Sequence, residues 1–448
     1  MSVASGIQAV PGAERTAPSE APYAPDARRN GVLRIAMVAA CPMPERRGTP
    51  VRIQRIAEGL QRLGHEVHLV TYPYGNGDFA APVIVHRVGR AGTHYRTAPG
   101  PSLSKLFVLD PLMVGLLRRV LREGGIDIIH AHHYEGLLVS LVARGKRRVP
   151  LVYDAHTLLG SELPAYAPHL PQGMKRMLGT RLDRCLPGYA DHVISVTDGI
   201  RDQLIATTPL GRERVTCVSN GVETDVFRAP DPTDGAHPPT VVFAGNLAPY
   251  QGIELLLDAF RRVLDAHPGA RLRIVSESSF APYEAQARTL GVRDAIEVVA
   301  APFEALPSLL ASADVAVNPR PDCDGIPLKL LNYMAAARPA VSFEGSAPGV
   351  EHGSTGWLAP RGNVDAFAAG ILTLLRDAPT ARSIGSRARD HVQRNHSWEV
   401  VATQTEGVYH DVLRRMSAPA RRPMAGAHTA HALPADGIST VRPAGDER

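Results

Sequence analysis

The chain has 448 residues, 44% hydrophobic and 21% charged, with a formal net charge of +5. At roughly 100 to 200 residues per domain, this length calls for two or three domains with real cores. The modest charge and an aromatic content of only 5% exclude a disordered polyelectrolyte and an aromatic-basic nucleic-acid binder.

No stretch reaches the ~18 uninterrupted apolar residues of a membrane span; the longest candidate, 106–117, is broken by Asp110 and Pro111. The opening residues lack the basic-then-apolar pattern of a secretory leader. Cys41, Cys185, Cys217 and Cys323 are isolated, without CxxC or zinc spacing, which fits a reduced compartment and argues against a metal site. A cytoplasmic protein without a cofactor is the expectation.

In chain order, residues 1–31 are rich in Ala, Pro, Ser and Glu without periodicity, and 417–448 are similar, so both are expected as disordered tails. Between them, β-branched runs alternate with helical patterns. LRIAMVA (33–39), EVHLVTY (66–72), IDIIH (126–130), LVYD (151–154), HVISV (192–196) and RVTCVS (214–219) come first. Residues 229–239, rich in Pro, Asp and Gly, read as a linker. TVVFAG (240–245), RLRIVS (271–276), IEVVA (296–300), DVAVN (314–318) and AVSF (340–343) follow. This alternation predicts an α/β protein of two doubly wound parallel-sheet domains, 32–228 and 240–396, facing each other across a cleft. A last helix, 397–416, has no strand after it and could pack on either domain.

Ligands of such sheets bind beyond the carboxyl ends of the strands, so the loops there carry the candidates. Gly48 precedes a helix with Val51, Ile53, Ile56 and Leu60 at helical spacing; it is either a turn glycine or one that admits a phosphate to backbone amides. The fingerprint GxGxxG is absent at this turn, which disfavours a dinucleotide site. His130 and His132 end a strand and share a face, with His133 opposite, and Asp154-Ala155-His156 ends the next strand, aimed at the cleft. In the second domain, Gly245 closes a strand and Gly252 precedes a helix carrying Ile253, Leu256, Leu257, Phe260, Val263 and Leu264 on one face.

The most unusual segment is VNPRPDCDGIPLKLLNYMAAARP (317–339). A strand runs through a polar loop and Gly325 into a helix opened by Pro327, and Lys329 and Asn332 share a face of that helix. A lysine in a first turn opposes the helix dipole and is misplaced unless an anion sits there. Residues 102–125 and 174–186 also read as basic amphipathic segments, each either packed on the core or resting on an anionic bilayer.

Taken together, GLQRLGHEVHLVT, IDIIHAHH, VYDAHTLLGSELP, DHVISVTDGIRDQL, VSNGVETDVF, VFAGNLAPYQGIELLLDAF, PLKLLNYMAAARPAVSF and HGSTGWLAP resemble the retaining glycosyltransferases of family four, with the GT-B fold, over residues 32–415. The resemblance implies an acceptor-side first domain, a second domain holding a nucleotide sugar donor, a final helix packed back on the first domain, and no bound metal. It further implies that Gly48 admits the donor phosphate and that His132, with His156 beside it on the acceptor side, contacts the acceptor or the reacting sugar. Asp324 and Asn332 stand where the family has a Glu-x7-Glu pair for the donor sugar and ribose. Asn246 and Gln251 stand where it has the diphosphate-binding arginine and lysine, and Gly245 and Gly325 lie in the same two loops.

Loss of both cations removes charge stabilisation from a leaving diphosphate, on the order of 10²- to 10³-fold per donor. Lys329 is the expected replacement, with Arg320 second. The implied reaction is front-face transfer with retained configuration, a donor phosphate oxygen taking the acceptor proton. The acceptor is a glycan, a lipid-linked sugar or a small molecule, reached with peripheral membrane contact at the inner face. The competing readings are a GT-B epimerase or phosphorylase, and a catalytically silent GT-B partner protein.

Overall fold

The computed structural model describes residues 31–45, 49–75, 77–89, 105–165, 171–227, 237–323 and 325–417. The expectations for the two tails, for Gly48, for most of the linker and for Asp324 lie outside the described residues.

The first unit runs β1 (Arg34–Ala39), α1 (Thr49–Arg62), β2 (Glu66–Thr71), β3 (Ile84–Arg87), α2 (Asp110–Glu123), β4 (Ile128–His132), α3 (His133–Arg144), β5 (Leu151–Ala155), the single turn α4 (Leu159–Glu162), α5 (Gln172–Cys185), β6 (His192–Ser195), α6 (Asp198–Thr207) and β7 (Val215–Cys217). Its seven strands are parallel, in the order β3-β2-β1-β4-β5-β6-β7. The second unit runs β8 (Thr240–Ala244), α7 (Ile253–Ala266), β9 (Arg271–Val275), α8 (Ala281–Thr289), β10 (Ile296–Val299), α9 (Leu306–Ala311), β11 (Val315–Asn318), α10 (Leu328–Ala335), β12 (Ala340–Phe343), β13 (Trp357–Ala359), α11 (Val364–Arg376) and α12 (Ala378–Asn395). Its six strands are also parallel, ordered β10-β9-β8-β11-β12-β13.

Both are Rossmann-like sheets whose order reverses beside the first strand, at β1/β4 and β8/β11. The crevices at these switch points are where ligands enter such folds. The central strands β1, β4, β5, β8 and β11 are buried almost end to end, as expected of parallel strands covered on both faces. The apolar face anticipated for α7 is entirely buried.

Two strands escape the sequence pattern. Ile84–Arg87 and Trp357–Ala359 are edge strands of four and three residues with little or no fully buried surface, too short for an apolar pattern to mark them. The Asp110-Pro111 pair also differs from expectation. Rather than interrupting an apolar helix it opens α2 behind a π-helical turn, Lys105–Leu109, with proline at the tolerated start.

The last helix, α13 (Trp398–Ser417), follows the second sheet and lies on α1. Trp398, Val401, Val408, Tyr409 and Val412 share a core with Ile35, Ile53, Ile56 and Leu60. The crossing is close because Gly59 has no side chain: a Cβ there would lie 2.5 Å from that of Ala402.

Helix α5 is amphipathic in the opposite sense to a core-packed helix. Met174, Met177 and Leu178 face outward beside exposed Arg176, Arg181 and Arg184, while Lys175 and Asp183 are buried. The polar pair is needed inside. Asp183 accepts from the Leu159 and Gly160 amides, supplying partners to a backbone turn at the start of a short helix, and Lys175 donates to the Pro164 carbonyl.

Candidate functional site

Each side of the cleft gathers side chains from loops at a switch point. In the second domain, β8 is followed by Gly245, whose φ of 145° suits only glycine. The following loop is held by Asn246, whose Oδ1 accepts from the Ala248 amide and from Gln251 Nε2, both at 3.2 Å, and whose Nδ2 donates to the Tyr250 hydroxyl at 3.0 Å. Gly252 caps α7 in the left-handed region, φ 74°, and a Cβ there would lie 2.3 Å from the Pro319 carbonyl. The loops after β8 and β11 therefore touch at this glycine.

From the far side, Lys329 in the first turn of α10 donates through Nζ to Gln251 Oε1 and sits 4.3 Å from the Phe243 ring centroid. Burial first, and then the neighbouring Arg320 charge, push its pKa down to about 7. Among the described residues Lys329 has no carboxylate partner. Arg320 lies 5.0 Å over the Tyr250 ring, anchored by its own Nε to the Asp322 carbonyl. Gly245, Asn246, Gln251 and Lys329, singled out from sequence, thus form one cluster. Tyr250 and Phe243 complete it, and nothing in the sequence pattern marks them.

Asn332 does not join this cluster. It lines a cavity of about 420 Å³ with Leu328 and Phe303, opposite Arg52, Arg55 and Asn220 of the first domain. The helix places Asn332 one turn beyond Leu328, on the cleft side, while the long Lys329 side chain turns to Gln251. The shared face expected of Lys329 and Asn332 is therefore split between two neighbours. Gly325 borders a second interdomain cavity with Thr197, Cys217 and Cys323. Its backbone lies so close to the first domain that a Cβ would be 2.2 Å from Thr197 Cγ2.

In the first domain, His132 and His156 do not open onto the cleft as expected. His132 is fully buried and His156 nearly so, because both serve Asp154, a carboxylate with no exposed surface. Arg52 reaches Asp154 from α1 with Nε to Oδ2 at 3.1 Å and Nη2 to Oδ1 at 3.5 Å, and also donates to the Val218 and Ser219 carbonyls at 2.8 Å. His132 Nδ1 lies 3.5 Å from Asp154 Oδ2 and 3.2 Å from His156 Nε2. His130 Nε2 lies 3.7 Å from the same oxygen.

Burial opposes ionisation of Asp154, but Arg52 and the histidines outweigh it and hold the carboxyl well below its usual range. Burial holds His130 and His156 well below theirs and lowers His132 as well. The result is one anion, one guanidinium and three neutral imidazoles. His130, His132 and Asp154 bring three ligand atoms within 4.8 Å of one another, a metal-like spacing. The guanidinium on the same carboxylate makes the set unsuited to a divalent cation.

His133 stacks on His156, centroids 4.5 Å apart, and opens α3 at φ 59°, a costly conformation for a residue with a Cβ. Neither Arg52 nor Tyr409, which meets His130, was legible beforehand.

The profile described as Glycosyltransferase Family 4 matches residues 46–226, and that of Glycosyl transferases group 1 matches residues 238–377. The D-inositol 3-phosphate glycosyltransferase of Kribbella flavida is 27% identical over 88% of this chain and 99% of its own length. That of Acidothermus cellulolyticus is 30% identical over 68% and 72%. Among solved structures, sucrose-phosphate synthase from Thermosynechococcus elongatus superposes with a TM-score of 0.68 at 20% identity, over 86% of this chain and all of that one. Anabaena HepE in complex with UDP-glucose gives 0.63 at 19% identity, over 84% and 99%. These neighbours share the GT-B fold.

Proposed function

This chain belongs to glycosyltransferase family 4, and from that premise we propose that it moves a sugar from a nucleoside diphosphate sugar to a glycan, lipid-linked or small-molecule acceptor with retention of configuration. The observation that carries the proposal is the Lys329 ammonium beside Gln251, Asn246 and Arg320. It is a half-buried cationic centre at the β8/β11 switch point without a protein carboxylate beside it among the described residues. A donor diphosphate supplies the missing anion, and the same cations then stabilise charge on the leaving group.

Asn332 in the neighbouring cavity suits the ribose hydroxyls as a neutral hydrogen-bonding group. On the acceptor side, His132 and His156 are buried around Asp154, so their part in this reading is to hold the ends of β4 and β5 behind the cleft wall. No protein nucleophile is needed if a donor phosphate oxygen takes the acceptor proton. The outward stripe of Met174, Met177, Leu178 and three arginines on α5 supports an acceptor presented at an anionic bilayer.

The test is a panel of nucleotide sugars, beginning with UDP-glucose, read by thermal stabilisation and by NMR of the product anomer. Stabilisation by a nucleotide sugar with retained product supports the reading. An inverted product would overturn retention, and the absence of any nucleotide effect would leave a silent partner protein as the answer.

A further inference from the structure

The network around Asp154 is closed by a residue from the far end of the chain. Tyr409, fully buried in the middle of α13, places its hydroxyl 2.7 Å from His130 Nδ1, with the two rings edge to face at 5.6 Å. Burial keeps the phenol protonated far above its usual range. The direction of this bond follows from what lies beyond it. If His130 carried its proton on Nδ1, the tyrosine hydrogen would have no acceptor among the described residues and the bare Nε2 lone pair would face the Asp154 carboxylate, a repulsive contact between fully buried groups. With the hydroxyl donating to Nδ1, His130 carries its proton on Nε2, which has no hydrogen-bond partner among the described residues and faces Asp154 Oδ2 at 3.7 Å.

The same carboxylate oxygen receives Arg52 and faces His132 Nδ1 at 3.5 Å. With its proton on Nδ1, between Asp154 Oδ2 and His156 Nε2 at 3.2 Å, His132 leaves Nε2 as a bare lone pair without a partner among the described residues. The imidazoles of His130 and His132 are in contact, centroids 4.2 Å apart, so a turn of the first ring disturbs the second.

We propose that Tyr409 is a positioning residue for the transfer reaction: by donating to His130 Nδ1 it fixes the orientation of that ring, and through Asp154 the tautomer and direction of His132. The inference rests on the proposed role of His132 and extends it. It makes α13, which follows the donor-side sheet, part of the acceptor-side machinery, so that a truncation before Tyr409 removes a functional contact as well as core packing.

The experiment compares full-length Tyr409→Phe with Val412→Ala. The first deletes one hydroxyl and keeps the ring; the second loosens the same helix at a buried position that carries no polar group. Long-range ¹⁵N NMR on histidine-labelled protein reads the tautomers, and steady-state kinetics reads the consequence. Expected are an Nε2–H His130 and an Nδ1–H His132 in the wild type. Tyr409→Phe should shift the ring nitrogens of both and lower kcat about tenfold, the worth of one lost hydrogen bond, with donor KM unchanged. Val412→Ala should lower Tm by about 2–4 °C and leave spectra and kcat alone. Unchanged kcat and His132 resonances in Tyr409→Phe, an Nδ1–H His130, or equal losses in the two variants would overturn the proposal. A wild-type protein that transfers no sugar counts against the proposed function instead, while the spectra still decide the role of Tyr409.

Discussion

Lys329 on α10 and Gln251 before α7, 78 residues apart, are joined by a hydrogen bond from the ammonium to the amide oxygen. The resemblance implies a lysine at the position of Gln251; in the proposed reading Lys329 supplies the positive charge there from the neighbouring helix, held by a neutral acceptor.

Replacing Lys329 by methionine keeps its stem over Phe243 and removes the charge. Nucleotide sugar turnover should fall on the order of 10²- to 10³-fold. The double variant Lys329→Met, Gln251→Lys returns an ammonium to the same space and should recover part of the loss. Steady-state kinetics decide it, and a double variant no better than the single one would show that the position of the charge is not what matters.

The pKa of about 7 at Lys329 predicts a pH dependence of donor binding. Below pH 7 the free site is already cationic; above it, binding a diphosphate must also take up a proton. Affinity should therefore weaken by up to roughly tenfold per pH unit above 7, measurable by calorimetry in buffers of different ionisation enthalpy. Stability runs the other way. The unfolded lysine binds its proton more tightly than the folded one, so this group favours the native state increasingly as pH rises from 7 toward its ordinary value near 10.5.

Gly325→Ala would set a Cβ 2.2 Å from Thr197 Cγ2 and hold the two domains apart. Turnover should fall while each domain stays folded by circular dichroism. Adding Thr197→Ser removes that methyl but keeps the hydroxyl that caps α6 at the Ile200 amide, and should restore activity.

Arg52→Met would leave the Asp154 carboxylate buried without its counter-ion and free the Val218 and Ser219 carbonyls. The expected cost is about 3–5 kcal/mol in urea unfolding. Arg52→Met with Asp154→Leu should be more stable than the single variant, because no uncompensated charge remains.

Local sequence was sufficient for most of the architecture. Eleven of the thirteen strands among the described residues carry apolar or β-branched runs that mark them, the central ones because a parallel strand buried on both faces has to be apolar throughout. The two it hid, β3 and β13, are among the four edge strands, which lack that requirement, and are too short to show a pattern. Lys329 was legible for a similar local reason: its charge conflicts with the dipole of its own helix. Contacts across the fold were not. Arg52 meets Asp154 from 102 residues away, Tyr409 meets His130 from 279, and Gly325 meets Thr197 only because two domains close. None of these partners leaves a periodic trace, since each is one polar side chain on an otherwise ordinary helix or loop. Whether a strand-end histidine faces a cleft or a buried carboxylate is decided by which distant side chain neutralises that carboxylate, and only the tertiary structure brings it there.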